Sequence, residues 1–313
     1  MPAGTATTVR VPATSANLGP GFDAFGLALD LHDEVRARVA PGGVRVHVQG
    51  EGADRLPDDE RHLVARVALE ELAAAGRAVT GLELFCRNVI PQGRGLGSSA
   101  SAIVAGLAVA RGLLAAAGAA GAAEHEVRER LLLESSRREG HPDNAAPAVF
   151  GGFTIAWTRG DDPTRPEAVR SVRLPVHPDV RAVVCVPAEQ LATSRARALL
   201  PATVPHADAA LTAGRAGLLV HALTSAPELL LDATVDRLHQ DQRGPAMPRT
   251  AVLLGRLRAR GLAAVVSGAG PSALVLVPAR HVAEVEDVAA AEGGWQVLAV
   301  PVAQHGVSWV PGA

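Results

Sequence analysis

The stretch PQGRGLGSSASA, residues 91–102, carries the strongest structural information in this sequence. Its residues 93–99 contain three glycines and two serines, and an apolar segment lies on each side. Glycine lets the backbone take positive φ and approach a ligand closely, and the free N–H groups of a helix N-terminus attract anions. The stretch therefore predicts a strand, a phosphate-binding turn and a buried helix. A plain turn in which Ser98 or Ser99 caps the helix is the simpler alternative.

The loop has no lysine, and neither has the rest of the chain. This excludes the Walker A loop, which requires Gly-Lys-Ser/Thr, and the protein kinases, which require a strand lysine paired with a helix glutamate. Gly95, Gly97 and Ala100 match a loose G-x-G-x-x-A dinucleotide pattern. The segments that follow do not predict the parallel strand with a terminal acidic residue that this fold needs. The serines also lack the G-x-S-x-G pattern of a hydrolase elbow.

The composition is that of a globular protein, with 48% hydrophobic and 20% charged residues among 313. A net charge of -2 argues against nucleic acid or an anionic membrane as partner. The apolar run after Ser98 contains Arg111 and many small residues, and it predicts a buried helix rather than a membrane span. Cys86 and Cys185 lie in separate apolar runs, as expected for reduced thiols. With no secretory signal recognisable, we expect a cytoplasmic protein.

Apolar periodicity predicts an early group of strands and a later series of helices. The predicted strands include TTVRVPA, FGLALDL, VRARVA, VRVHVQ, GLELFCRNVI and AAVVSGAGPSALVLV, and the predicted helices cover about 58–75, 124–138, 193–200, 206–224, 247–260 and 280–292. This order, without regular βαβ alternation, favours the α+β class. The polar segment Thr158–Ala168 predicts a boundary between domains spanning 1–160 and 161–313.

Three segments resemble the motifs of the GHMP kinase family. Residues 91–102 resemble its P-x-x-x-G-L-G-S-S-A signature, PATSANLGPGFDAFGLAL at 12–29 resembles the N-terminal motif, and SGAGPSALVL at 267–276 resembles the C-terminal glycine motif. All three stand in family order across nearly the whole chain. The resemblance implies a two-domain GHMP kinase fold. Its N-terminal domain would be like ribosomal protein S5 domain 2 and its C-terminal domain ferredoxin-like, with ATP near their junction.

Within this family, three further segments resemble the homoserine kinase branch. They are EGHPDNAAPAVFGGF at 139–153, TSRARALLP at 193–201 and LHQDQRGPAMP at 238–248. The resemblance implies ATP- and magnesium-dependent phosphorylation of the hydroxyl of L-homoserine to O-phospho-L-homoserine, a step of threonine biosynthesis. The alternatives are a GHMP kinase acting on mevalonate, shikimate or a sugar, and a nucleotide-binding regulator without catalysis. The resemblance also allows a homodimer, for which the sequence displays no interface.

The resemblance further assigns roles to individual residues. ATP would be held by Pro91, Gly93, Arg94, Gly95, Leu96, Gly97, Ser98, Ser99 and Ala100. Magnesium would be held by Ser98 or Ser99 together with Glu134, with Glu139 as the nearby alternative. The substrate would contact Asn17, Asp23, His141, Asn144, Arg197 and Arg243. Asn144, Asp23 and Arg197 would be the residues closest to the chemistry.

The physical chemistry of these residue types agrees with a zwitterionic substrate. Arginine forks recognise carboxylates, and Asp23 suits an ammonium group. The amide of Asn144 is neutral and cannot act as a general base, so we expect catalysis by positioning and charge stabilisation. Asp143 is the alternative base. Each of these residues also has a purely structural reading: Asp23 as a turn residue, Arg197 as a solvated helix residue, and His141 as a structural residue before proline.

Overall fold

A computed structural model describes residues 1–119, 123–160 and 168–312. Within them the strands β1 to β11, in chain order, are Ala6–Ala16, Phe25–Val39, Gly43–Gly50, Gly81–Asn88, Phe153–Arg159, Ala168–Leu174, Val180–Pro187, Ala263–Val266, Ala273–Pro278, Trp295–Val300 and Ser308–Gly312. The helices α1 to α10 are Leu63–Ala74, Ser98–Ala116, Glu124–Glu139, Ala145–Phe150, Thr193–Arg197, His206–Thr224, Leu230–Ala233, Gln240–Arg243, Pro248–Ala259 and Val282–Glu292. This mixture of sheets and helices confirms the α+β class.

The first sheet has the strand order β11-β1-β2-β4-β3, and β5 and β6 extend it from the first part of β2. Strand β1, between β11 and β2, packs one face on the core, because Val9 and Val11 are buried while Arg10 between them is exposed. Strand β2 is long enough to pair with β5 near its beginning and with β4 towards its end. One parallel pair, β3 with β4, is joined through α1, a crossover that the apparent lack of βαβ alternation did not predict.

Helix α2, which follows the glycine loop, packs against β1, α1 and α3. Its sequence is long and apolar enough to cross a membrane, with a mean hydropathy of 1.7, but 72% of that segment is buried inside the protein. Its alanine and glycine residues allow the neighbouring elements to approach closely. The prediction of a buried helix is therefore confirmed, and just before its N-terminus the carbonyl of Leu96 accepts a hydrogen bond from the backbone N–H of Thr14 in β1.

The second sheet has the order β10-β7-β9-β8 and is antiparallel throughout. If these four strands are numbered 1 to 4 in chain order, their order across the sheet is 4-1-3-2. This is the order of a ferredoxin-like βαββαβ domain, which the family resemblance implies. Alternate residues of β7 lie in two different hydrophobic cores. Val183 and Cys185 pack with α9 and α10. Ala182 and Val184 pack with α6 and the first part of β2. The second of these cores joins the two sheets and fixes their relative position.

The chain crosses between the two sheets more often than a single boundary implies. Residues 161–167 of the predicted boundary segment lie outside the described residues, but β5 and β6 on its two sides pair with each other. At the C-terminal end β11 pairs with β1. The first sheet thus takes strands from both sides of residue 160, and the division into 1–160 and 161–313 stays a prediction.

Candidate active site

The three glycine-rich segments of the sequence meet at one cleft. Ser267 donates a hydrogen bond from its hydroxyl to the carbonyl of Gly95 at 2.7 Å, and its oxygen lies 2.8 Å from the hydroxyl of Ser15. The Asn17 amide donates to the carbonyl of Gly268 at 2.9 Å. The N-terminal, central and C-terminal motifs therefore form one hydrogen-bonded unit, although 252 positions separate Ser15 from Ser267.

The central loop depends on glycine for close contact as well as for its backbone angles. Gly93, Gly95 and Gly97 all have positive φ. A Cβ at Gly95 would lie 2.1 Å from the carbonyl oxygen of Ser267. Gly97 ends the loop in the left-handed region, immediately before α2. The first N–H groups of α2 have no intrahelical acceptor, so this turn presents an anion-binding site at the cleft.

Thr14 anchors Asn144 against this turn. The Thr14 hydroxyl donates to Oδ1 of Asn144 at 2.9 Å, and the Thr14 backbone N–H donates to the carbonyl of Leu96 at 3.1 Å. With Oδ1 engaged, the amide NH2 of Asn144 has no acceptor among the described residues. It is a donor at the cleft wall, which suits it to orient a hydroxyl oxygen. The sequence did not single out Thr14, since its role depends on a residue 130 positions away.

His141 and Asp143 form a close pair behind Asn144. The ring Nδ1 of His141 lies 2.6 Å from Oδ1 of Asp143, and the same oxygen accepts the backbone N–H of Asn144 at 2.9 Å. Burial lowers the pKa of His141, but the hydrogen bond to Asp143 and the nearby acidic charges outweigh it, so that the pKa is raised. Asp143 is only 2% exposed. Its carboxylate therefore holds His141 and Asn144 in place.

Asp23 and Arg197 form a two-bond ion pair across the cleft. Nη2 and Nη1 of Arg197 donate to the two carboxylate oxygens of Asp23 at 2.7 and 3.0 Å. This hydrogen bond is the main cause that raises the pKa of Arg197. Asp23 has a positive φ, and its backbone N–H donates to Oδ1 of Asn17. Both partners are partly exposed, so a ligand in the cleft can reach them.

Arg243 is a buried cation that has no carboxylate in contact among the described residues. Its side chain is 2% exposed, and Nη1 donates to the carbonyl of Gly268 at 3.1 Å and faces Nδ1 of His239 at 3.2 Å. Its Nε has no partner among the described residues. Burial lowers the pKa of Arg243, and the charge of Arg197 lowers it further. A buried charge is stable when it is paired, so this site is arranged to receive an anion.

A carboxylate and a hydroxyl meet at the start of α2. The Ser99 hydroxyl donates to Oε1 of Glu139 at 2.5 Å, and both residues line the cleft together with Ser98. Glu134 instead pairs with Arg137 and lines a separate cavity with Arg111 and Arg130. Of the two glutamates that the sequence offered as metal ligands, Glu139 and not Glu134 therefore lies beside the loop serines. The reason is geometric: Glu139, the last residue of α3, lies opposite the first turn of α2, whereas Glu134 lies more than a helical turn away.

Most of the predicted site residues share this cleft of about 180 Å³. Those that line it are Asn17, Asp23, Gly93, Gly95, Gly97, Ser98, Ser99, Ala100, His141, Asn144, Arg197 and Arg243. The structure does not bring Pro91, Arg94 or Leu96 to the cleft wall. The Leu96 side chain is buried in the core, and the guanidinium of Arg94 donates to the carbonyls of Pro187 and Ala188, where it ties the loop to the end of β7.

A second cavity of about 180 Å³ adjoins the cleft and shares Ser98 and Ser99 with it. Its wall is mostly apolar, but His62 is 4% exposed and neither ring nitrogen has a partner among the described residues. Burial lowers the pKa of His62, which favours a neutral ring. A neutral imidazole offers one donor and one acceptor. The cavity thus has the size, apolar wall and polar edge of a site for a planar heterocycle, a role that the sequence did not indicate.

Comparison with known proteins places this arrangement in a class. The family model described as the GHMP kinases N terminal domain matches residues 62–152. The mevalonate diphosphate decarboxylase of Staphylococcus aureus has the same fold, with a TM-score of 0.67 over 98% of both chains at 14% identity. Fold and glycine loop together therefore define the class as that of the GHMP kinases.

Proteins of higher sequence identity identify the branch of the GHMP kinases to which the chain belongs. The homoserine kinase of Streptomyces avermitilis is 48% identical over 98% of this chain and 96% of its own length. That of Clavibacter michiganensis is 52% identical over 86% of this chain and 81% of its own. The crystal structure of homoserine kinase from Cytophaga hutchinsonii has a TM-score of 0.81, with 27% identity and 99% coverage of both chains. The chain belongs to the homoserine kinases of the GHMP kinase family.

Proposed function

We propose that this protein transfers the γ-phosphoryl group of ATP to the hydroxyl of L-homoserine and forms O-phospho-L-homoserine, within threonine biosynthesis. The observation that carries the proposal is the buried guanidinium of Arg243, which has no carboxylate partner in the described part of the chain and lines the same cleft as the Arg197–Asp23 pair. The guanidinium groups of Arg197 and Arg243, together with the carboxylate of Asp23 that pairs with Arg197, match the two charged ends of an amino acid.

The Asp23–Arg197 pair marks where the charged ends of an amino acid would bind. The substrate carboxylate would bind Arg197 and Arg243, and its ammonium would bind Asp23. One ion pair within the protein would thus be replaced by three contacts between opposite charges, which would also compensate the charge of Arg243. A neutral sugar would break the pair without replacing it, so the charges favour an amino acid over a sugar.

ATP is assigned to the glycine loop and the adjoining cavity. The backbone N–H groups at the start of α2 and the helix dipole would hold the phosphates, which is why the site does not need a lysine. The cavity with His62 would receive the base, since it opens at the same serines. Asn144 lies beside the loop, since a Cβ at Gly97 would be 2.9 Å from its Oδ1, so the terminal phosphate of a ligand that spans both spaces would lie near it.

Magnesium fits the oxygen donors at the start of α2. Mg²⁺ takes oxygen ligands and is commonly held by one or two protein groups together with phosphate oxygens and water. Ser98 or Ser99 with Glu139 would provide the protein ligands, and no larger acidic cluster exists in the described part of the chain. The ion would supply charge neutralisation to the phosphates during transfer.

We assign catalysis to the positioning of the substrate hydroxyl by Asn144, without a protein side chain that acts as a strong base. The Asn144 amide would donate to the homoserine hydroxyl oxygen, while Thr14 keeps that amide in orientation. Asp143 is already engaged with His141 and the backbone of Asn144, so we assign it a structural role. A loose phosphoryl-transfer transition state requires alignment and charge stabilisation more than proton removal. The hydroxyl proton would pass to the phosphate or to solvent.

A coupled assay of ATP consumption tests the function. L-Homoserine, mevalonate, galactose and shikimate are offered in turn at equal concentration with magnesium. We expect turnover with homoserine at a kcat/KM at least 100-fold above that for the other three. Faster turnover of another substrate would assign the protein to a different GHMP activity, and ATP binding without turnover of any substrate would favour the regulator.

A further inference from the structure

Two side chains that the function described above does not use surround the guanidinium of Arg243. His239, immediately before α8, is fully buried, and its Nε2 lies 2.8 Å from the carbonyl oxygen of Gly19. Its other nitrogen, Nδ1, lies 3.2 Å from Nη1 of Arg243. His239 therefore links Arg243 to the N-terminal motif that also carries Asp23.

The hydrogen-bond partners fix the protonation state of His239. A carbonyl oxygen only accepts, so the hydrogen must be on Nε2; a guanidinium only donates, so Nδ1 must carry a lone pair. The ring is thus the neutral Nε2–H tautomer. Burial lowers the pKa of His239, in opposition to the nearby Asp236 carboxylate. Each end of the imidazole has a defined partner, and its Nδ1 end orients the arginine.

Phe22 completes the support from the other motif. The central carbons of Arg197 and Arg243 lie 5.6 and 5.5 Å from the centre of the Phe22 ring. The ring also stacks on His239, with 5.0 Å between centroids. An aromatic face attracts cations, so one ring brings together two guanidinium groups that would otherwise repel each other.

We propose that His239 and Phe22 are positioning residues that hold the Arg243 guanidinium where a substrate carboxylate binds. The inference rests on the proposed function, because it gives Arg243 the role of carboxylate receptor. Among the described residues Arg243 has no acidic partner, so its orientation depends on its contacts with His239, the carbonyl of Gly268 and Phe22. His239 and the carbonyl of Gly268 both engage Nη1, which leaves Nη2, without an acceptor among the described residues, available to the ligand.

Two matched variants separate positioning from packing. In His239→Asn the amide oxygen takes the place of Nδ1 and keeps an acceptor for Arg243, while the bond to Gly19 is lost. In His239→Gln the amide nitrogen takes the place of Nε2 and keeps the bond to Gly19, while the acceptor is lost. We expect the KM for homoserine to rise at least tenfold in His239→Gln and less than threefold in His239→Asn. The KM for ATP should stay within twofold of wild type in both.

A third variant tests the aromatic ring. Because Phe22 is partly exposed, we expect its substitution to leave the protein folded. Phe22→Leu keeps an apolar side chain and removes the π face. We expect a three- to tenfold rise in the KM for homoserine with an unchanged KM for ATP. The thermal unfolding midpoint of every variant is measured, so that a loss of folding is recognised directly.

The outcomes distinguish this inference from the function on which it rests. Wild-type protein that does not turn over homoserine would overturn the proposed function and the inference with it. Active wild-type protein with equal homoserine KM values in the Gln and Asn variants would overturn the role of His239 alone. If the histidine variants do not fold, an unchanged homoserine KM in Phe22→Leu overturns the positioning proposal.

Discussion

The glycine loop and the end of the cleft to which we assign the amino acid, formed by Asp23, Arg197 and Arg243, would recognise charge by different means. The loop uses backbone: Gly95 and Gly97 allow N–H groups to approach an anion, and the main chain of Ser267 packs directly against Gly95. The amino-acid end uses long side chains from separate elements, with Asp23 after β1, Arg197 in α5 and Arg243 in α8. Substitution in the loop should therefore reduce stability and activity together, whereas substitution at the other end should separate the two.

The largest expected effect is that of Gly95→Ala. The new Cβ would lie 2.1 Å from the Ser267 carbonyl oxygen, and the residue has a positive φ. Backbone strain and overpacking together should lower the free energy of unfolding by about 3 kcal/mol or more. Displacement of the loop should reduce kcat/KM for ATP at least 100-fold. Urea unfolding and initial rates measure the two effects.

Gly93→Ala is the matched control for this prediction. Gly93 also has positive φ, but a Cβ there would meet nothing closer than the Gln190 side chain at 3.5 Å. Only the backbone strain remains, so we expect a loss of about 1 kcal/mol in unfolding free energy and activity within tenfold of wild type. Equal losses in the two variants would show that close packing on Ser267 is unimportant.

The next effect is that of Arg243→Met, which should separate activity from stability. The substitution removes the buried guanidinium, and we expect the KM for homoserine to rise at least 100-fold with a KM for ATP within threefold of wild type. Removal of a buried charge that has no ion-pair partner stabilises the folded state, and this gain offsets the loss of the hydrogen bonds of Arg243. The free energy of unfolding should therefore stay within about 1 kcal/mol of wild type. A much larger loss of stability would show that Arg243 is chiefly structural.

A smaller effect is expected for Arg197→Ala. Its side chain is 43% exposed and pairs with Asp23, so solvent competes with its interactions. The KM for homoserine should rise about tenfold, in line with the loss of one charge-assisted hydrogen bond. The KM for ATP should not change. Arg195→Ala, an exposed arginine two positions earlier in α5, is the control and should leave both constants unchanged. Equal losses for both substrates would contradict the placement of Arg197 at the amino acid.

The smallest effect concerns pH and His141. Because the pKa of folded His141 is raised above the ordinary value of about 6.5, the folded state binds this proton more tightly than the unfolded state. The resulting stabilisation is fully present below the unfolded pKa and is lost as pH rises through the folded pKa. Urea unfolding of wild type and His141→Gln from pH 5 to 9 should show that the difference between them diminishes as pH rises. A constant difference would contradict the His141–Asp143 pair.

The sequence predicted those parts of the site that depend on neighbouring residues and did not predict those that depend on contacts between distant elements. Gly95, Gly97, Ser98 and Ser99 line the cleft, and the sequence indicated them because a glycine turn followed by a helix is a local property. The sequence did not decide between Glu134 and Glu139, because both lie in the same helix. Which of them faces Ser99 depends on the packing of α3 against α2, and no local pattern encodes it.

The same distinction applies to the residues that sequence reasoning missed. Thr14, His62 and His239 occur in no chemical pattern of their own, and each gains its role from a distant part of the chain or from a cavity. That β6 and β11 belong to the first sheet could likewise be learned only from their pairing, because both strands lie beyond the predicted domain boundary. Periodicity predicts that a strand forms but does not specify its partner.

The sequence by itself determined the class of fold, the phosphate loop and, through the family motifs, the homoserine kinase family. These properties depend on short-range backbone preferences and on contiguous motifs, which a single chain displays directly. Only the tertiary structure decided that Asp23 pairs with Arg197, that Glu139 meets Ser99, and that Arg243 is buried against His239 and Phe22. Such contacts depend on the relative position of packed elements, and that position is set by the shared core between the two sheets.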